Sequence, residues 1–235
     1  MNERQFINTV IKQNLGIITL MHTSRILDKS RKYSSLYLQR LEHRDIIKRI
    51  EKGKYAFPDT PVEVIASNLI IPSYISFLSG LSHYQLTTQI PRIIQIITTR
   101  SKKKVIYENK EIKFIKQQQI FGYKRQKTHA GYVFIGDKEK IIVDCLYLPQ
   151  YCPLSETIHA LQDSRFNRKK LIDYALKMNS IVVLKRLGYL LEQQQIDIFP
   201  QVHTYLNTRY DLLNPQLPSA GEYNSKWKLI INEVG

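Results

Sequence analysis

The chain has 235 residues and a formal net charge of +15, from 35 lysines and arginines against 20 aspartates and glutamates. Hydrophobic residues make up 43% of it, with only 9 glycines and 9 prolines, which excludes a disordered or low-complexity protein and predicts an ordered core. Residues 1–58 hold 12 basic and 5 acidic side chains, whereas residues 151–235 hold 10 and 8. This uneven excess favours a polyanionic partner for the first part of the chain.

The remaining composition argues against secreted, membrane and metal-binding proteins. Cys145 and Cys152 are too few and wrongly spaced for a zinc site or a disulfide framework. The amino terminus is polar, and the longest apolar run, residues 68–81, is broken by Pro72 and several serines, so we expect neither a signal peptide nor a membrane span. We find no Ser-His-Asp arrangement and no glycine-rich phosphate loop. We therefore expect a cytoplasmic protein without a cofactor, a metal or an enzymatic activity.

The first 58 residues predict the element order of a winged helix-turn-helix. Gly53 stands in a short turn, where glycine accepts the positive φ that hairpin turns need. The order of elements is typical of a DNA-binding module, although a small α+β module without a ligand would share it. The predicted elements are a helix over residues 3–13, a strand over 17–19, helices over 20–27 and from 31 onward, and strands over 46–50 and 54–57.

The helix predicted from residue 31 onward separates into an apolar and a polar face. At about 100° per residue, Ser34, Tyr37, Leu38 and Leu41 share one side, which we expect to face a small core. The opposite side carries cations, an amide, a hydroxyl and a leucine but no acid, a set that suits base edges and thymine methyl groups. The predicted DNA-binding residues are Lys32, Ser35, Leu36, Gln39, Arg40 and His43 on this helix, and Lys52 and Lys54 near the wing tip.

The rest of the chain predicts an α+β domain over residues 62–235. Helices are expected over residues 62–69 and 73–86, and several short runs between residues 91 and 136 predict a small antiparallel sheet because polar turns separate them. A helical period then returns. It predicts helices over residues 137–148, 154–161, 167–178, 181–194 and 199–207, a loop over 215–223 and a last strand over 227–231.

Charged and aromatic residues of this second domain have structural explanations. Glu139 and Asp144 are expected to cap and salt-bridge their helix, Asp137 can cap its start, Arg186 is expected to pair with one of the two acids, and Trp227 is expected in the core. The lysine run at the tip of a predicted turn is different, because adjacent cations repel one another. This run, Lys102, Lys103 and Lys104, is a candidate contact for nucleic acid or for an acidic protein surface, with a plain solvated turn as the alternative.

Four motifs, taken in order, resemble the AbiEi-type antitoxins of type IV (abortive infection) toxin–antitoxin systems. They are RIEKGKY at residues 49–55, PSYISFLSGL at 72–81, KEKIIVD at 138–144 and RLGYLLE at 186–192, followed by a late segment with Asn214, Trp227 and Asn232. The resemblance implies a phage-defence protein with two functions. Its winged helix would repress its own operon at inverted repeats in double-stranded DNA, and its second domain would counteract a nucleotidyltransferase-like toxin without requiring a stable complex.

Two other functions stay open at the level of sequence. A magnesium-dependent nuclease of the PD-(D/E)xK type needs a carboxylate followed by Glu-x-Lys, and Asp59 with Glu108-x-Lys110 or Glu111-x-Lys113 fits that spacing. A stand-alone transcriptional regulator that senses a small ligand would instead need a pocket in its second domain.

Overall fold

A computed structural model describes residues 1–162 and 166–233. The chain divides into two compact units, of which the first comprises Met1–Ile75 and Arg92–Ile135 and the second comprises Ser76–Pro91 and Gly136–Gly235. Both combine helices with small sheets, so the predicted α+β class is confirmed. The first unit contains residues 1–58 together with later strands, and the functional division near residue 60 stays a prediction. No helix in the described ranges combines the length and the hydropathy that crossing a bilayer requires.

Residues 1–58 form the predicted elements in the predicted order. They are α1 (Glu3–Lys12), β1 (Ile18–Thr19), α2 (Leu20–Leu27), α3 (Arg31–His43), β2 (Lys48–Glu51) and β3 (Lys54–Ala56). The strands form an antiparallel sheet in the order β1-β3-β2. The helices and the sheet enclose one hydrophobic cluster, whose buried members are Phe6, Val10, Ile18, Leu38, Leu41, Ile47 and Tyr55.

Local sequence signals set the ends of these helices. Asn2 begins α1 with a capping box, in which its side chain accepts from the Gln5 backbone N–H and the Gln5 side chain accepts from the Asn2 backbone N–H. Thr19 caps α2, and Asp28 ends it in the left-handed region, a conformation that aspartate tolerates. The turn between β2 and β3 is closed by Gly53 at φ +76°, as the sequence predicts.

The first unit also holds α4 and a six-stranded mixed sheet. Its elements are α4 (Val62–Asn68), β4 (Ser73–Ile75), β5 (Ile93–Thr98), β6 (Val105–Tyr107), β7 (Lys110–Lys116), β8 (Tyr123–Thr128) and β9 (Gly131–Gly136). The strand order is β6-β7-β5-β4-β9-β8. The prediction of an antiparallel sheet is wrong, because β5 pairs in parallel with β7, and β4 in parallel with β9, beside the antiparallel pairs β4–β5 and β6–β7.

The predicted helix over residues 73–86 is also wrong in its first part. Ser73–Ile75 is the strand β4 near the middle of the sheet, and only Phe77–His83 forms a helix, α5. Tyr74 and Ile75 are aromatic and β-branched, are fully buried, and pair with β5. Pairing with strands distant in sequence thus overrides the local helical period.

The second unit is built around one buried helix. It contains α5, α6 (Lys138–Tyr147), α7 (Leu154–Leu161), α8 (Arg168–Lys177), α9 (Ile181–Glu192), α10 (Phe199–Val202), β10 (Asp211–Leu212), β11 (Glu222–Asn224) and β12 (Leu229–Ile231). Helix α6 is buried from Glu139 to Leu146 and packs against α5, α7, α8 and α9. The strands form a sheet in the order β10-β12-β11.

Smaller predictions for this unit are partly confirmed. Trp227 is fully buried, as expected, and Cys145 and Cys152 are buried and free. The predicted helix over residues 199–207 consists of the short α10 and a 3-10 turn, and β11 begins inside the predicted loop over residues 215–223. Both errors concern short segments, whose structure depends on the surrounding core more than on their own periodicity.

The predicted partners of the charged residues need correction. Arg186 pairs with neither Glu139 nor Asp144; it donates to the backbone oxygens of Leu146 and Leu212, and burial lowers its pKa to about 10. Asp137 stands at the start of α6 without a side-chain cap bond, because its carboxylate binds Lys170 and Tyr174. Glu139 likewise accepts from the backbone of Asn167 and pairs with Lys170 instead of capping its helix. The salt bridge expected for Asp144 is present, with Lys140.

Candidate nucleic-acid interface

Helix α3 presents the two faces that its sequence predicts. Ser34, Leu38 and Leu41 are buried in the core of the first 58 residues, and Tyr37 packs edge-on against Phe6 with ring centroids 5.2 Å apart. The opposite face is open to solvent. Its exposed side chains are Lys32, Ser35, Leu36, Gln39, Arg40 and His43, none of which is acidic.

The position of this face is fixed at both ends of α3. At the start, the Ser30 hydroxyl accepts from the Tyr33 backbone N–H. At the end, the guanidinium of Arg44 pairs with the carboxylate of Glu3 at 2.5 Å, which ties the last turn of α3 to α1. The core and the two terminal contacts therefore hold the exposed face in place. A surface that binds another molecule needs such support.

The hairpin β2–β3 carries further cations. Arg49 and Lys52 are exposed, and Lys52 stands in the turn beside Gly53. Lys48 is also exposed but pairs with Glu108 at 3.2 Å, and this hydrogen bond raises the pKa of Lys48. Arg49 and Lys52 are thus the freer cations of the hairpin, and Arg49 is one that the sequence analysis did not select.

Lys54 is placed differently from Lys52, although both are predicted phosphate contacts. Its ammonium group lies 2.9 Å from the Glu51 carboxylate and also donates to the backbone oxygen of Leu69. Lys102 reaches the same carboxylate at 2.5 Å, so Glu51 is held between two lysines. Burial raises the pKa of Glu51, but the hydrogen bonds from Lys102 and Lys54 outweigh it and hold that pKa below its usual value. Lys54 and Lys102 therefore support the hairpin and share one carboxylate, so the three side chains together keep one net positive charge.

The three predicted lysines of the β5–β6 connection are not equivalent. Lys102 is half-buried against Glu51, and Lys104 pairs with Glu111 at 2.8 Å. Lys103 is exposed and has no carboxylate partner among the described residues. Among these three lysines, Lys103 is therefore the one whose ammonium group is not paired with a carboxylate of the described residues and is available to a ligand.

The turn between α2 and α3 adds cations that sequence reasoning missed. Arg25, Lys29 and Arg31 line an open groove of about 780 Å³, together with Asp28 and the first turn of α3. All three cations are exposed. Their position near the start of α3 could have identified them from the sequence as candidate phosphate contacts. The positive end of the helix dipole and nearby cations both attract phosphate.

Both glutamates and one lysine of the nuclease alternative form ion pairs with other side chains. Glu108 pairs with Lys48, and Glu111 with Lys104, while Lys110 pairs with Glu63 at 3.7 Å. Over residues 1–162 and 166–233, no three His, Cys, Asp or Glu side chains lie together in a way that could hold a metal ion. In the predicted second domain, residues 62–235, where the ligand-sensing alternative expects a pocket, a groove of about 470 Å³ lies beside α8.

Comparison with known proteins does not identify a family for this chain. No protein-family model matches the chain, and no curated protein is significantly similar to it.

Proposed function

We propose that the chain is a DNA-binding antitoxin, in which residues 1–58 act as a winged helix on double-stranded operator DNA. Helix α3 would be the recognition helix in the major groove, and the β2–β3 hairpin would be the wing along the phosphate backbone. The observation that carries this proposal is the solvent-exposed face of α3, on which Lys32, Arg40 and His43 alternate with Ser35, Leu36 and Gln39 without any acid.

The individual side chains suit different parts of a duplex. Gln39 can accept from an adenine amino group with its amide oxygen and donate to the ring nitrogen with its NH₂ group, Lys32 can donate to guanine, and Leu36, which is 48% exposed, can contact a thymine methyl group. Arg49 and Lys52 on the hairpin are exposed and would contact phosphates. Exposed Leu36 costs solvation free energy in the free protein, which an apolar contact with DNA would recover.

The test is binding of the full chain to a fluorescent duplex taken from upstream of its own reading frame. We expect specific binding that Lys32→Ala and Gln39→Ala each weaken by about 1–3 kcal/mol, with relaxed base preference. Lys116→Ala and Gln118→Ala are matched controls, because both side chains are exposed in the same unit and lie outside α3 and the hairpin. Equal binding by Gln39→Ala and Gln118→Ala would reject α3 as the reading helix.

The antitoxin role rests on the motif resemblance and needs its own experiment. We expect the double variant Lys32→Ala/Gln39→Ala to lose repression of a reporter gene but to keep protection against a co-expressed nucleotidyltransferase toxin. The reason is that both side chains are exposed and make no core contact, so the fold of residues 62–235 stays intact. A wild-type chain that represses the reporter but gives no protection would separate the DNA-binding function from the antitoxin function.

A further inference from the structure

The first unit contains a cavity whose lining combines cations, amides and apolar side chains. Its volume is about 580 Å³, within the range of small-molecule sites. Arg100, Arg125, Lys54 and His22 line it, whereas none of the described residues around it is acidic. A cavity with this charge distribution attracts an anion.

Two arginines of this cavity are available to bind an anion. Lys54 is paired with Glu51, but neither Arg100 nor Arg125 pairs with a carboxylate in the described part of the chain. Arg100 donates one N–H to the backbone oxygen of Ile71 at 2.5 Å, which orients its guanidinium and leaves other N–H groups for a ligand. A guanidinium held in this way suits the oxygens of a phosphate.

Arg125 offers a flat surface as well as a charge. Its guanidinium carbon lies 4.2 Å from the centroid of the Tyr132 ring, so one face of the guanidinium is covered and the other is free to stack. Arginine planes of this kind stack nucleic-acid bases. Met21 and Ile71, which are 56% and 57% exposed, add apolar surface at the same cavity.

An amide of the cavity lining can add base recognition. Asn68 donates its side-chain NH₂ group to the backbone oxygens of Val64 and Tyr132, at 2.7 Å and 2.6 Å. These two bonds fix the amide and leave its carbonyl oxygen as an acceptor. A base stacked nearby could donate an exocyclic amino group to that oxygen.

We propose that this cavity binds a nucleoside 5′-phosphate, with the phosphate on Arg100 and the base stacked on Arg125. A phosphate beside a base occurs both in a free nucleotide and in duplex DNA, and the geometry favours the free nucleotide because the site is concave. The proposal does not depend on the DNA-binding function, since the residues involved lie outside α3 and the β2–β3 turn.

The test is isothermal titration of the full chain with AMP, GMP, CMP and UMP, and with adenosine and ribose 5-phosphate as partial ligands. We expect at least one nucleotide to bind more tightly than either partial ligand. Arg100→Gln should weaken nucleotide binding by roughly tenfold or more and leave adenosine binding nearly unchanged. Arg125→Gln should weaken both the nucleotide and adenosine. Arg92→Gln is the matched control, because Arg92 is exposed in the same unit and does not line the cavity.

A second measurement separates the two sources of phosphate. If wild type binds none of the four nucleotides at millimolar concentration, or if Arg100→Gln and Arg125→Gln bind them like wild type, the proposal is wrong. If the same arginine variants weaken duplex binding while the nucleotides do not bind, the arginines contact the DNA backbone and the nucleotide site is rejected. Thermal melting of each variant verifies that it is folded.

Discussion

Each unit of this protein contains one group of cations whose surroundings are the opposite of the other's. In the first unit, Lys32, Arg40, Arg49 and Lys52 are exposed, and none of them has a carboxylate partner among the described residues. In the second unit, Lys140 and Lys185 are fully buried and Arg186 is only 6% exposed. Some cations of the chain are therefore exposed at the surface and others are buried in the fold. The net charge of +15 does not distinguish these two groups.

Each buried cation of the second unit has partners that match its donors. Lys185 donates to Asn207, to Asp211 and to the backbone oxygen of Arg209. Lys140 pairs with Asp144, whose other oxygen accepts from Ser76. A buried charge is tolerated only with such compensation. These cations are therefore part of the fold, whereas the unpaired cations of the first unit are available to a ligand.

The largest effect expected from this comparison is on the pair formed by Lys140 and Asp144. Lys140→Met should lower the free energy of unfolding by about 3–5 kcal/mol, because it leaves the carboxylate of Asp144 buried without its cation. Urea unfolding followed by circular dichroism measures the change.

Two further variants show whether the buried charge is the cause. Lys169→Met removes an exposed cation of the same unit and should stay within about 0.5 kcal/mol of wild type. The double variant Lys140→Met/Asp144→Leu should recover much of the loss, since neither charge remains. A double variant as unstable as Lys140→Met would show that packing at these positions, and not the unpaired charge, is responsible.

A smaller effect distinguishes the packing of the two units. A Cβ at Gly188, on α9, would overlap the indole ring of Trp227, whereas a Cβ at Gly53, in the hairpin turn, would have no neighbour within 4 Å. Gly188→Ala should therefore cost about 1–3 kcal/mol of stability through overpacking. Gly53→Ala should cost about 1 kcal/mol, because alanine is strained at positive φ. Thermal unfolding compares them, and a Gly188→Ala variant as stable as wild type would mean that the Trp227 ring can move aside.

The sequence predicts the first 58 residues well because their signals are local. The two faces of α3 follow from its periodicity, the helix starts follow from Thr19 and Ser30, and the hairpin follows from Gly53. Each of these features depends on residues within a few positions of one another. The exposure of the candidate DNA-binding residues on α3 follows from the same periodicity.

The features that the sequence misses are set by distant residues. Ser73–Ile75 is a strand because β5 and β9 lie on either side of it. Lys102 is neutralised by a carboxylate 51 positions earlier in the chain. Arg186 satisfies backbone oxygens instead of an acid, and nothing in its own motif indicates this. Partners of this kind depend on tertiary packing, which a hydrophobic pattern does not specify.

The difference between paired and unpaired cations can be tested within a single hairpin. Lys52→Ala should reduce the salt dependence of duplex binding by about one phosphate contact, a slope change of about 0.9, because the Lys52 side chain is exposed. Lys54→Ala should change that slope less, because the ammonium group of Lys54 is already held by Glu51 and Leu69. Fluorescence polarisation across a series of salt concentrations gives both slopes. A larger slope change for Lys54→Ala than for Lys52→Ala would show that DNA displaces Glu51 from Lys54.

The smallest expected effect is the pH dependence of the stability that Glu51 contributes through its contacts with Lys54 and Lys102. The hydrogen bonds from Lys102 and Lys54 lower the pKa of Glu51 in the folded chain below its usual value, so its ionised form stabilises the fold at neutral pH. That contribution is lost as the pH falls through the depressed pKa, because the unfolded chain then binds a proton more readily than the folded one. Glu51→Gln should thus lower the urea midpoint at neutral pH, and its difference from wild type should shrink as the pH falls below the usual range of a glutamate. Glu222→Gln, at an exposed position without a lysine partner among the described residues, should show no such convergence. A constant difference between Glu51→Gln and wild type at every pH would mean that the side chain acts through packing, and that Lys54 and Lys102 are not held by its charge.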